Sequence, residues 1–523
     1  MCSSDLRHVG ASGDRYFADW NPTAGSPDAD VVDDMHVLRS RTRDLIANDP
    51  LAKGIVQSVV DNMGGAGFKP ATTPREKELR EKGVSQAQLE AFKRGATSAW
   101  RRWSESEDAD ARRRGDWIFL VNQANRAALT GGDSWTLPLM LNRPSSPYML
   151  SLQVLEADQV DTPSGLQNDS TVRGGVKVGK YEQPLGAWML KGHPGDLRYL
   201  KVDDFRFIRF LNKAGRTNLL QLYYAERPGQ NRGLPLYSSS MALWDHLHNY
   251  IEAESVGARA AACISMVIKK DDPLAARQAR TLLGQSTSGG STLENLEPGS
   301  IEYLNPGEDL QIVNPQRPGS TFDPFVIRLL RLILREIGVP YEVGALDFSK
   351  ANYSNMRGAQ LETRKVWQCR QQTLVAWASK VWRLLLEEAW LKGELGTVNL
   401  YEHWDDLMAV RWTLPGWPSV DPEKEAKASA LALELGLTTR EREVANWTGL
   451  FWEDVERQRI AEEIRTKELR KEAGLEEETP APPQDENQPT DSSNNDEGAS
   501  GGETEGDATE NAEEPAGASQ EIE

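Results

Sequence analysis

The chain has 523 residues, with 60 Lys plus Arg against 79 Asp plus Glu and a net charge of −19. Sixteen of the acidic residues lie in Glu476–Glu523, which has no Lys or Arg, so the preceding 475 residues carry only −3 of that charge. A near-neutral body with a polyanionic tail excludes a basic protein that coats nucleic acid by displacing counterions. Three cysteines (Cys2, Cys263, Cys369) make no disulfide framework and point to a reducing origin. No apolar run reaches the roughly 18–20 residues of a membrane span, and Met1–Gly10 lacks the apolar core of a secretory signal. The expectation is a soluble, intracellularly made protein of two to four domains.

Residues 1–34 are polar and rich in Gly, Asp and Pro, and read as a flexible arm. Helical patterning begins near Met35, and Asn48-Asp49-Pro50 caps a second helix that runs through Ile55, Val56, Val59 and Val60. A third helix, Ser85 to Trp103, places Leu89, Phe92, Ala96, Ala99 and Trp100 at helical spacing. From Ser134 the pattern changes to short strands: 135–141, 149–155, a hairpin of 176–178 with 185–190, and 205–210. A helix from Ser238 to about Ile264 follows, then a Gly-, Ser- and Pro-rich segment with two short strands at 300–304 and 310–313. Asp323-Pro324 opens a helix to Ile337, stopped by Gly338-Val339-Pro340. One long helix from near Ser354 to Lys392 would span roughly 58 Å. A last helical block starts at Asp421-Pro422 and ends near Gly474, and the tail beyond it is too polar to bury a core. The fold class is α+β.

Motifs of catalysis fail one by one. Gly174 to Lys180 fits the spacing of a phosphate-cradling loop, but Tyr181 stands where a Ser or Thr must hold magnesium, and the lysine falls in a hairpin turn. Gly498-Ala499-Ser500-Gly501-Gly502 has the spacing of a hydrolase elbow but lies in the tail, without a strand and helix to strain the serine. His246 and His248 are two apart on a helix and point to different faces. Glu105, Glu107, Asp108 and Asp110 read as an acidic solvated loop. No catalytic residue, metal site or cofactor is expected.

The helix after Pro324 is unusual. Phe325 to Ile337 is apolar almost all round, with a polar stripe of Arg328, Arg331 and Arg335. Such a helix is either the core of a globular domain or is flanked by copies of itself in a ring. Trp367, Trp377, Trp382 and Trp390 of the long helix carry the same two alternatives.

The ordered motifs resemble the lambda-type portal proteins of tailed bacteriophages. The likeness is carried by Leu38-Arg39-Ser40-Arg41-Thr42-Arg43-Asp44-Leu45 with Asn48-Asp49-Pro50, by Val60-Asp61-Asn62 to Gly67, and by Gln153 to Pro163 (Gln-Val-Leu-Glu-Ala-Asp-Gln-Val-Asp-Thr-Pro). It continues in Arg227-Pro228-Gly229-Gln230-Asn231-Arg232-Gly233-Leu234-Pro235 and in Leu296-Glu297-Pro298-Gly299 to Glu308. Gly338-Val339-Pro340-Tyr341-Glu342, Asp347-Phe348-Ser349, Asn352-Tyr353-Ser354-Asn355 and the run from Trp417 to Ala426 complete it, so it covers about residues 35–475. The resemblance implies a ring, usually of twelve subunits, at one capsid vertex of the virion, assembled in the host cytoplasm. It also implies a portal-type subunit, laid on this chain after the N-terminal arm (1–34) as an α/β wing (35–237), stem helix one (238–264), a small α/β clip (265–322) and stem helix two (323–337). A channel loop (338–355), the long spine helix with the wing return (356–419) and a helical crown (420–475) follow, and the arm and the acidic tail (476–523) lie outside the resemblance.

The implied partners are further copies of the chain, double-stranded DNA bound without sequence preference, the terminase large subunit, a head–tail adaptor and the major capsid or scaffold protein, with no membrane. The resemblance places Asp347, Ser349, Lys350, Asn352, Tyr353 and Ser354 on the DNA-facing loop, with Lys350 its only cation. Arg328, Arg331 and Arg335 would face the channel or a neighbouring subunit, and Leu330 and Ile333 would be buried between packed stem helices. The alternatives are another oligomeric head or connector protein, and an ATP-driven packaging enzyme. The enzyme needs an intact phosphate loop, and the one candidate fails at Tyr181.

Overall fold

The computed structural model describes residues 24–65, 68–196, 204–263, 267–270, 308–311, 321–349, 352–415, 422–448 and 452–472, together with Asp19 and Pro22. Two compact units divide the chain, Met1–Gln458 and Arg459–Glu523. The described part of the second unit is the end of helix Trp452–Glu472, whose side chains are exposed and which carries an Arg459–Glu463 pair one turn apart.

The first unit opens with α1 (Ala29–Val32), α2 (Met35–Asn48) and α3 (Pro50–Met63). Asp49 separates the last two as the sequence predicts: its carboxylate accepts from the Ala52 amide at 2.7 Å, and Pro50 takes the first turn, where no amide hydrogen is needed. Within the segment expected to be a flexible arm, α1 is ordered and docked, with Asp28 and Val31 buried. Strand β1 (Lys69–Thr72), α4 (Glu76–Glu81) and α5 (Gln86–Ser104) follow, α5 closed at its start by a reciprocal Ser85–Gln88 capping box. The helix α6 (Trp117–Gly131) has no counterpart in the sequence reading. Its start, Trp-Ile-Phe-Leu-Val, is a continuous apolar run in which helical periodicity does not show.

The strands form small antiparallel sheets. Strand β2 (Asp133–Met140) lies between β3 (Leu150–Glu156) and β8 (Leu220–Tyr223). A four-stranded meander is built from β4 (Val172–Arg173), β5 (Val176–Val178), β6 (Pro184–Leu190) and β7 (Phe205–Arg209). The phosphate-loop lookalike spans the two turns of this meander. Gly174 and Gly175 take φ of 52° and 82° between β4 and β5, and Tyr181 is 80% exposed in the next turn.

Then come α7 (Met241–Cys263), the antiparallel pair β9 (Val267–Lys270) and β10 (Glu308–Gln311), α8 (Phe322–Ile337), the single turn α9 (Tyr341–Gly344) and the 39-residue α10 (Tyr353–Leu391). The strand expected at 300–304, the segment 271–307 and the acidic tail lie outside the described residues. After α11 (Trp404–Leu407), β11 (Val410–Thr413) pairs with β1, with Lys69 opposite Thr413. Two helices, α12 (Pro422–Glu434) and α13 (Arg440–Thr448), precede Trp452–Glu472, which is α14.

One core runs through α3, α5, α6, α8, α10 and the β2 sheet. Its centre is aromatic: Trp100, Trp103, Trp117, Trp377, Trp382 and Trp412 form one connected set of ring contacts, with Trp100 at 5.1–5.4 Å from four of the others. This decides between the two alternatives for Trp377 and Trp382, which are core residues of the subunit. The acidic loop is corrected too. Asp108 and Asp110 are buried: Asp108 accepts from Arg113 at 2.6 Å and Arg143 at 3.2 Å, while Asp110 accepts from the amides of Arg112 and Arg114. Only Glu105 and Glu107 face water.

A polar knot joins the sheets to the N-terminal helices. The fully buried Arg232 donates to both carboxylate oxygens of Asp133, and to the carbonyls of Ala157, Val160 and Gly174. Arg39, also buried, donates to the Gly131 carbonyl at 2.6 Å and lies 3.9 Å from Asp133. Burial and the Arg232 charge pull Arg39 down to about 10, still protonated at neutral pH. Asp28 of the N-terminal strap accepts from the amide and side chain of Asn231, both at 2.8 Å.

Candidate channel segment and subunit-contact surface

The segment between α8 and α10 starts as a turn folded against its own subunit. Gly338 ends α8 in the left-handed region (φ 77°), which glycine alone adopts without strain. Val339 is buried, and α9 packs on α8 so closely that a Cβ on Gly344 would strike the Leu334 side chain. Tyr341 stands under the Arg331 guanidinium (5.5 Å) and donates its hydroxyl to Asp347 at 2.8 Å. Burial, then the bond to Asp347, pushes the Tyr341 phenol up to about 12. The other oxygen of Asp347 accepts from the Ser349 amide at 3.1 Å. Asp347 is therefore a brace that fixes the turn.

The two residues flanking that brace point outward. Leu346 is 70% exposed with φ of 52°, and Phe348 is 47% exposed. A leucine in the left-handed region is locally strained, and here it carries a large apolar side chain to the surface. Of the residues placed on the DNA-facing loop, Ser349 is exposed and Asn352 accepts from the Asn355 amide (2.9 Å) as the cap of α10. Tyr353 and Ser354 form the first turn of that helix. Lys350 lies outside the described residues. The site residues expected from the sequence are the polar members of this turn, and they do not include Leu346, Phe348 or Tyr341. Two large apolar side chains alternating with an aspartate in a loop were the available signal.

The helix α8 is two-faced. Leu329, Leu330, Ile333, Leu334 and Ile337 are buried in the subunit's own core. Leu330 and Ile333, expected to be buried between packed stem helices, are buried within one subunit. Arg328, Arg331 and Arg335 are exposed as a stripe, and Phe325 (45%) and Leu332 (46%) are exposed beside them. The guanidinium groups of Arg328 and Arg335 have no hydrogen-bond or ion-pair partner among the described residues. An exposed seam of Phe, Arg, Leu and Arg has the composition of a protein–protein contact. The companion helix α7 runs antiparallel to α8: Tyr250 stacks on Phe322 and meets Phe325 edge-on, and Ser239 donates to Glu336.

Among the described residues one group of possible metal ligands occurs, Glu156, Asp158 and His193. A cation already stands there: Arg43 lies 2.5 Å from Asp158 and 3.1 Å from Glu156, and His193 is 3.2 Å from Glu156. His246 and His248 do not converge on a site; His248 instead lies 2.6 Å from Asp49.

The family model described as phage portal protein, lambda family, matches residues 13–371. A probable portal protein of Halomonas phage phiHAP-1 is 25% identical over 463 residues, covering 85% of this chain and 84% of its own length. Portal protein B of Escherichia phage lambda is 22% identical over 496 residues, covering 90% of each chain. Among solved structures, a chain of the virion of a native gene transfer agent particle aligns with a TM-score of 0.40 at 15% identity, over 81% of this chain and 93% of that one. A chain of the neck of the native particle, computed with C12 symmetry, gives 0.41 at 13%, over 79% and 92%. With a match spanning more than two thirds of its length and a mixed helix and sheet fold, the chain belongs to the lambda family of phage portal proteins.

Proposed function

We propose that this chain forms the ring at one capsid vertex through which double-stranded DNA is packaged and ejected. The match to the lambda portal family over residues 13–371 carries this reading. In it, α7 and α8 are the stem helices, 265–322 the clip, 338–355 the channel loop and 420–475 the crown. The subunit has no catalytic task of its own. The ring is the platform on which the terminase large subunit docks, the head–tail adaptor joins, and the major capsid or scaffold protein assembles. It sits in the virion after assembly in the host cytoplasm.

Two features support the assignment. The near-neutral body suits a conduit, because a strongly basic channel would hold DNA by counterion release and stop it sliding. The seam on α8 leaves large apolar side chains exposed that a neighbouring stem helix would cover. DNA contact is assigned to the end of the channel loop, where Lys350 supplies a phosphate contact without sequence preference. Electron microscopy of the purified protein tests the reading: rings with a central hole are expected, and particles without a ring refute it. In particles assembled with Lys350→Glu, rings stay intact and encapsidated DNA falls. Full packaging would remove Lys350 from the DNA surface.

A further inference from the structure

A ring of identical subunits related by rotation uses a heterologous contact, in which one face of each subunit meets a different face of its neighbour. The two faces must match. Two helices of this chain carry exposed faces of opposite sign. On α8, Phe325, Arg328, Leu332 and Arg335 follow one another at i, i+3, i+7 and i+10, which puts all four on one exposed side. On α7, Asp245 and Glu252 are exposed seven residues apart, hence also on one side, with the exposed Arg259 a further seven residues on toward the far end of the helix. Asp245 accepts from Asn249 of its own helix at 3.1 Å and has no cationic partner among the described residues.

We propose that in the ring the arginine seam of α8 packs on the acidic side of α7 of the next copy, with Arg328 paired to Asp245. This rests on the ring reading above and names the contact that closes it. The register follows from the subunit. Ser239 is level with Glu336, and Tyr250 is level with Phe322 and Phe325, so the two helices run antiparallel in nearly equal step. Counting five residues back from Tyr250 to Asp245 means counting five forward from Phe322 or Phe325 on α8, to positions 327–330. Arg328 is the charged residue in that window. With the ring axis taken to run along α7 and α8, rotation about it leaves height unchanged, so what is level within one subunit is level between neighbours. Asp245 and Arg328 therefore meet at the same height, on facing helices, with opposite charge.

A charge-swap cycle tests the pairing. Both positions are exposed, so Asp245→Arg and Arg328→Glu keep the circular dichroism and melting temperature of the wild type. Each single reversal places like charges at every contact around the ring, and most of the ring fraction in sedimentation velocity and negative-stain images is lost. The double variant restores opposite charges and returns the ring fraction to the wild-type level. If wild type forms rings but the single variants keep them, or the double variant stays unassembled, the pairing is wrong and the ring reading stands. If wild type itself forms no rings under any assembly condition, the ring reading fails and the pairing fails with it.

Discussion

The helix α8 allows the subunit core and the subunit contact to be separated by adjacent substitutions. Ile333 is 0% exposed and Leu332 is 46% exposed, although they are neighbours in sequence. Changing Ile333 to Asp removes the burial of a full aliphatic side chain, about 1.5–3 kcal/mol. It also puts a carboxyl among Leu329, Leu330, Leu334 and Ile337, where burial of an unpaired polar group costs a further several kcal/mol. Together these approach the roughly 5–15 kcal/mol that holds a domain folded. Leu332→Asp stays in water and should change subunit stability by about 0.5 kcal/mol or less. Tryptophan fluorescence reports the outcome, because the buried indoles of Trp100, Trp117, Trp377 and Trp382 share the core with Ile333. Ile333→Asp should be recovered unfolded or with its melting temperature sharply lowered. Leu332→Asp should melt like wild type yet fail to assemble. A well-folded, unassembled Ile333→Asp would show that this face of α8 is buried between subunits rather than within one, and would refute the reasoning.

Asp108→Asn leaves Arg143 and Arg113 without their carboxylate and should cost about 2 kcal/mol in chemical denaturation, where an unchanged midpoint would return the loop to the solvated class. Burial disfavours ionisation of Asp158, but the hydrogen bond and charge of Arg43 outweigh it and hold the carboxyl below its ordinary value of 3.8. Its contribution to stability is therefore full above that value and is lost as pH falls through the lower folded pKa. The melting-temperature gap between wild type and Arg43→Met should accordingly close on acidification below pH 3.8 and stay open at neutrality; a gap independent of pH would contradict this. Deletion of residues 476–523 removes sixteen negative charges and no apolar core, so the melting temperature should hold, and a large drop would show that the tail docks.

Local chemistry made much of the fold legible. Asp49-Pro50 declares a helix start through one carboxylate and its backbone partner, Gly338 declares a helix end through its left-handed backbone, and the structure has both ends. What escaped was whatever depends on distant partners. The acidic run at 105–110 looks solvated until Arg143, 35 residues beyond Asp108 in sequence, is seen to reach back to it. The start of α6 has no polar face to reveal its period, because Ile118 on its exposed side and the half-buried Phe119 are as apolar as the buried Trp117, Leu120 and Val121. The all-round apolar reading of α8 was half right: one side is core, and the other is the exposed seam.

The same distinction explains why the family was easier to read than the site. Three of the runs that carry the resemblance meet in one place. Arg39 and Arg43 come from the first, Ala157, Asp158 and Val160 from the second, and Asn231 and Arg232 from the third. In the structure Arg43 pairs with Asp158, Arg232 takes the carbonyls of Ala157 and Val160, and Arg39 and Arg232 share Asp133. Buried charges are tolerated only when every partner is in position, so a knot of this kind admits few substitutions and leaves recognisable strings in the sequence. A surface that slides along DNA has no such demand. Phosphate contact needs a cation at roughly the right height and little else, and many sequences meet that condition. Three of the strings that identify the chain are thus residues that hold its sheets together. The residues that would touch a neighbouring subunit become visible only when exposure, charge and helix register are read from the folded chain.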